Sequence, residues 1–164
     1  MSELPLITED AGEFRAALPD GGMLLGLDLG TQTIGIALCD AGWRFATAGK
    51  TLPRSRFARD RSALEALVAE RGVRGVVIGL PLNMDGSSGP RAQASRAYAR
   101  NLARDGTGLG LPVLLWDERW STASAERAMI AQDMSRARRA ERIDSHAAAI
   151  ILQGAIDRLA GGVL

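Results

Sequence analysis

Apolar residues first gather in the run Leu24-Leu25-Gly26-Leu27-Asp28-Leu29, which breaks at Gly30-Thr31. So dense a run predicts a strand buried on both faces, since a half-exposed strand would alternate apolar with polar residues. A second run, Ile34-Gly35-Ile36-Ala37-Leu38-Cys39, follows the turn, and a third short strand is expected within 43–52. Three strands joined by short turns read as an antiparallel meander. The period then changes. Leu64, Leu67 and Val68 fall at helical spacing within 57–71. Residues 73–80 (VRGVVIGL) and 111–116 (LPVLLW) read as buried parallel strands. A helix is expected from about Pro90 through Tyr98 and Leu102, proline suiting a first turn. Another is expected from about Ser121, and a final apolar helix over 143–159 after an arginine-rich connection at 134–142. The order βββ-α-β-α-β-α-α predicts an α/β fold with a five-stranded mixed sheet. Its first three strands are antiparallel, its last two parallel, and helices cover both faces. Residues 1–22 lack strong periodicity and end in Pro19-Asp20-Gly21-Gly22, so they read as a loose N-terminal arm before a domain over 23–164.

One charge interrupts the first strand. A carboxylate amid buried apolar residues is costly unless something pairs with it, and a metal ion is a natural partner for Asp28. The alternative is a turn aspartate that bonds the backbone before Gly30. A second acidic site, Asp117-Glu118, closes the LPVLLW strand, where ligands of α/β sheets gather. Its alternative is a pair that merely favours the next helix's N-terminus. Asp144 is the third. Its helical neighbours Ala147, Ala148, Ile151 and Ala155 continue an apolar stripe, which places this carboxylate on the face turned to the sheet. Three carboxylates from separate elements suit one or two hard cations, Mg²⁺ or Mn²⁺, with positions left for water and phosphate oxygens.

Composition narrows the chemistry. The chain has 164 residues, 46% apolar and 24% charged, as in an ordinary globular protein. A single cysteine, Cys39, and a single histidine, His146, exclude an internal disulfide and any site built from several thiolates or imidazoles. No apolar run is long enough to span a membrane, so a cytoplasmic protein is expected. The formal charge of +1 gives no general pull toward nucleic acid, but nineteen arginines stand against one lysine, Lys50. Arg54, Arg56, Arg59 and Arg61 form one cluster, and Arg136, Arg138, Arg139 and Arg142 another. Guanidinium forks suit phosphate oxygens. The segment from Asn83 to Gly89 leads into Pro90-Arg91, where open N–H groups and Arg91 would receive a phosphate unless this is an ordinary loop and cap. Trp116 and Trp120 flank the acidic pair, and core packing is favoured for them over base stacking.

Four segments in order carry a resemblance: LLGLDLGTQTIGIALCD, VVIGLPLNMDGSSGPRA, LPVLLWDERWSTASAERA and RIDSHAAAIILQGAID. Together they resemble the YqgF family, known as pre-16S rRNA nucleases and Holliday junction resolvase-like proteins, over residues 23–159. The resemblance implies an RNase H-like fold and a metal-dependent nuclease site at Asp28, Glu118 and Asp144. It implies nucleic acid as partner: pre-16S rRNA trimmed at its 5′ end, or branched DNA. Thr31, Asn83, Arg91, Arg119, Arg138 and Arg139 are the expected substrate contacts, and the protein is expected to be a monomer or homodimer. One departure stands out. A lysine or arginine is common in the turn after Gly30-Thr31, where this chain has Gln32-Thr33. The end of the VVIGLPLN strand also offers no carboxylate before Asp85, which leaves that duty to Glu118, with Asp85 as an outside candidate.

Two other readings compete. Asp-Leu-Gly-Thr-Gln-Thr also resembles the first phosphate loop of sugar kinases and actin-like ATPases, but those need two such domains. A nucleic-acid-binding module with little catalysis would keep the same residues.

Overall fold

The computed structural model describes residues 5–121 and 136–161, with the backbone alone over 136–144. Its sheet has six strands in the order β1-β6-β5-β2-β3-β4. These are β1 (Ile7–Thr8), β2 (Leu24–Leu29), β3 (Thr33–Cys39), β4 (Ala46–Pro53), β5 (Gly75–Leu80) and β6 (Val113–Asp117). The helices are α1 (Ala11–Ala17), α2 (Phe57–Arg71), α3 (Pro90–Ala103) and α4 (Arg136–Gly161), and Glu118–Trp120 forms a single 3₁₀ turn after β6. The expected meander is present: β2 pairs antiparallel with β3, and β3 with β4. On its other side β2 pairs parallel with β5, and β5 with β6.

The expected five-stranded sheet is corrected to six by the N-terminal residues. Ile7 and Thr8 pair parallel with Val113 and Leu114 and cover the β6 edge. Helix α1 follows, opened by Asp10, whose carboxylate accepts from the backbone of Gly12 and Glu13. Phe14 on this helix is fully buried and Leu18 nearly so. The segment expected to be loose is therefore docked from residue 7 onward.

The last helix also differs. It starts at Arg136 rather than 143, so most of the expected arginine-rich connection is helical. The reason is propensity: arginine, alanine and glutamate are strong helix formers even where no apolar stripe marks the turn. The helix expected from about Ser121 lies outside the described residues.

The two faces of β2 meet different layers, because alternate side chains point oppositely. Leu25, Leu27 and Leu29 join Ile34, Leu64, Ile78, Leu102 and Leu115 beneath α2 and α3. Leu24 joins Val77, Leu114 and Trp116 beneath α4, which contributes Ala148, Ile151, Leu152 and Ala155. Helix α4 lies close to the sheet because Gly26 has no side chain. A Cβ there would stand 2.8 Å from Leu152 Cβ and 3.2 Å from the Ala148 carbonyl. Among the described residues, no helix is long and apolar enough to cross a membrane.

Candidate active site

Asp28 shares the parity of Leu24 and Gly26, so it points to the α4 side of the sheet. It is 3% exposed. The β2–β5 register pairs Leu27 with Ile78, which brings Asp28 beside Gly79 one step on. Gly79 in turn pairs with Trp116 of β6. Two residues past Trp116 stands Glu118, 7% exposed. Its Oε2 lies 3.0 Å from the position a Cβ would take on Gly79, and Ile151 Cδ1 lies 2.6 Å from it. The glycine thus leaves the space in which the Glu118 carboxylate sits, beneath α4 and on the strand next to Asp28. Asp28 on β2 and Glu118 in the turn after β6 are thus both buried on the α4 side, with Gly79 of β5 on the strand between.

Asp117 and Glu118 have different tasks. Asp117 alternates to the opposite face from Trp116 and is held by Arg119. The Arg119 Nε donates to both carboxylate oxygens at 3.1 Å, and Nη2 donates to Oδ2 at 2.7 Å. Asp117 Oδ1 also accepts from the Arg119 backbone at 2.9 Å. These donors, the guanidinium first, hold the Asp117 carboxyl below the usual aspartate range. Arg119 reaches further, donating from Nη1 to the Met84 carbonyl at 3.2 Å. Expected as a substrate contact, it ties the β6 end to the loop after β5.

That loop is built from its own side chains. Asn83 Nδ2 donates to Ser87 Oγ at 2.9 Å, and the Ser87 hydroxyl and backbone N–H donate to Asp85 Oδ1 at 2.6 and 2.9 Å. Those bonds lower the Asp85 carboxyl below its ordinary range. Asn83 and Asp85 therefore shape the approach to α3, which begins at Pro90 after Gly89 with no side-chain cap. Arg91 and Thr31 are brought together, lining one small cleft with Arg54. Arg54 was legible only as a member of an arginine cluster, and nothing in its spacing pointed to the glycine turn.

Asp144 belongs to α4, one turn before Ala148. Gln153 fixes the helix direction, accepting from the Ala46 backbone at 2.8 Å and donating to the Arg44 carbonyl at 3.0 Å. Those residues flank Cys39, at the Leu24 end of the sheet. Going back along α4 from Gln153 therefore leads toward the Asp28 end of the sheet. The side chains of Asp144, Arg138 and Arg139 lie outside the described residues. Among the described residues no three His, Cys, Asp or Glu side chains gather as a metal-binding group. The donor set still suits a hard cation, because Asp28 and Glu118 offer only oxygens and Gly79 leaves them room.

The tryptophans divide. Trp116 is buried in the α4 core, as expected, whereas Trp120 is 64% exposed. Their rings meet edge to face at 5.7 Å.

The fold is a mixed α/β sheet with acidic residues near the ends of its strands. The chain belongs to the RuvX Holliday junction resolvase family, whose model matches residues 22–158. A relative from Novosphingobium aromaticivorans, named "Putative pre-16S rRNA nuclease", is 68% identical over 95% of this chain and 98% of its own. One of the same name from Sphingopyxis alaskensis is also 68% identical, over 94% of this chain and 99% of its own. The resemblance to YqgF proteins holds. Among solved structures, T. thermophilus RuvC in complex with a Holliday junction substrate superposes with a TM-score of 0.52 at 15% identity. The match covers 84% of this chain and 94% of that one, and it supports the fold.

Proposed function

We propose that this chain is a divalent-metal-dependent nuclease acting in 5′-end processing of pre-16S rRNA, with Asp28, Glu118 and Asp144 as the metal-holding residues. The observation that carries the reading is that Asp28 and Glu118 are both buried on the α4 side, on either side of β5, where Gly79 leaves the space the Glu118 carboxylate fills. Mg²⁺ or Mn²⁺ is the ion this all-oxygen set favours. When bound, such an ion supplies an activated water and stabilises charge on the leaving oxygen. The protein's own part is to hold two carboxylates in a dry setting at the open ends of the strands, with Arg119 and Asp117 fixing the adjoining loop. The substrate class follows from the names of the 68% identical relatives. In this reading the protein works in the cytoplasm, as a monomer or homodimer.

A second reading has its own support. The family is described by Holliday junction resolution, so branched DNA is the competing substrate. The experiment offers purified protein a 5′-extended 16S precursor fragment and a mobile four-way junction, each with Mg²⁺ and with Mn²⁺. Faster cleavage of the RNA supports the processing role. Cleavage of the junction alone, with symmetric nicks, overturns it in favour of resolution.

A further inference from the structure

The glycine turn that follows Asp28, Gly30-Thr31-Gln32-Thr33, carries no basic residue of its own, yet a guanidinium reaches it from elsewhere. Arg54, the residue after β4, donates from Nη1 to the Gly30 carbonyl at 2.7 Å. Its backbone N–H donates to the Gln32 carbonyl at 2.8 Å. The same guanidinium lies over the Tyr98 ring, 5.3 Å from its centre. A cation held by a carbonyl and an aromatic face is fixed in position before any ligand arrives.

Arg54, Arg91, Thr31 and Ser95 line an open cleft of about 60 Å³ beside Gly30. Its chemistry is one-sided: two guanidiniums, two hydroxyls and no carboxylate. Within the described residues the Arg91, Thr31 and Ser95 side chains make no hydrogen bond, although Ser95 is only 3% exposed. Arg54 spends one of its five N–H donors on Gly30. The uncapped first turn of α3, from Pro90, adds its partial positive charge. Ligand pockets for bases or drug-sized molecules start at roughly 300 Å³, so this cleft fits one compact oxyanion.

We propose that this cleft binds a phosphate of the nucleic-acid backbone other than the one being cut, and so sets the register of the strand over Asp28 and Glu118. The proposal rests on the nuclease reading above. Arg54 supplies the positive charge that the turn itself lacks, and its bond to Gly30 ties the cleft to the backbone two residues from Asp28.

The test measures binding of wild type, Arg91→Gln, Arg54→Gln and Arg54→Lys to a labelled precursor rRNA fragment by fluorescence anisotropy in EDTA, over a range of salt. It is repeated with fragments in which one phosphate at a time is an uncharged methylphosphonate. Wild type is expected to lose about tenfold in affinity at one position, as for one charge-assisted contact. Arg91→Gln and Arg54→Gln should lose sensitivity to that same position and lower the salt slope by about one. Arg54→Lys should keep part of both. Arg91 is exposed, so Arg91→Gln leaves the fold intact and keeps the result readable. The same fragments are then incubated with Mn²⁺ to read cleavage. Wild type that binds in EDTA and cuts with Mn²⁺ but feels every methylphosphonate alike overturns the cleft alone, as do variants that keep the positional loss. Wild type that neither binds in EDTA nor cuts with Mn²⁺ overturns the nuclease reading with it.

Discussion

Glu118 Oε2 stands 3.0 Å from the point where a Cβ on Gly79 would sit. The glycine on β5 is therefore as much a part of the acidic site as the carboxylate that fills its space. Alanine at 79 would also press on Ile151 Cδ1, 2.6 Å away. Overpacking of this kind costs about 1–3 kcal/mol. The displaced carboxylate should reduce kcat roughly a hundredfold, as small misplacements at reacting groups do. Urea denaturation and single-turnover cleavage of Gly79→Ala check the two effects separately. Activity that survives a confirmed shift of Glu118 would remove that residue from the site.

Phe14 makes a second prediction, about the N-terminal segment. It is fully buried against the sheet, and its ring reaches the Gly75 end of β5. Truncation to alanine should cost about 3–5 kcal/mol, the range for a buried aromatic. Chemical denaturation of Phe14→Ala measures it. A loss under about 1 kcal/mol would mean that the segment is not docked in solution.

The sequence and the structure agree where periodicity is strong. The meander, the helix over Phe57–Arg71 and the helix starting at Pro90 were legible because long apolar runs and a first-turn proline leave few alternatives. The strand Ile7–Thr8 was not, since two residues carry no period. The start of α4 was hidden because its first turns are polar helix formers. Local spacing did not separate Asp117 from Glu118, and only the resemblance pointed to Glu118; strand alternation sends Asp117 to Arg119 and Glu118 to Gly79. Arg54 was hidden for another reason. Its partner Gly30 lies across the sheet, and contacts between distant segments leave no mark in local spacing.

The Asp117–Arg119 pair makes stability depend on pH at the acid end. Asp117 has a lowered folded pKa, so its contribution is fully present above the ordinary aspartate value near 3.9. It is lost as pH falls through the lowered folded value. Arg119→Ala should lower stability at neutral pH, and by less as the carboxyl protonates. Thermal melts of wild type and variant from neutral to strongly acidic pH should converge at the acid end. A gap that stays constant would assign the effect to lost packing instead.

The central claim is that Asp28 and Glu118 hold a divalent metal that cuts phosphodiester bonds. The most direct measurement compares wild type, Asp28→Asn and Glu118→Gln on one precursor rRNA fragment, with Mn²⁺ added and with EDTA, alongside RNA binding by anisotropy. Wild type should cleave only with metal. Both variants should bind RNA within a few-fold of wild type and cleave at least a hundredfold more slowly, the scale of losing a group that stabilises developing charge. Equal cleavage by all three proteins, or wild-type cleavage undiminished in EDTA, would contradict the account.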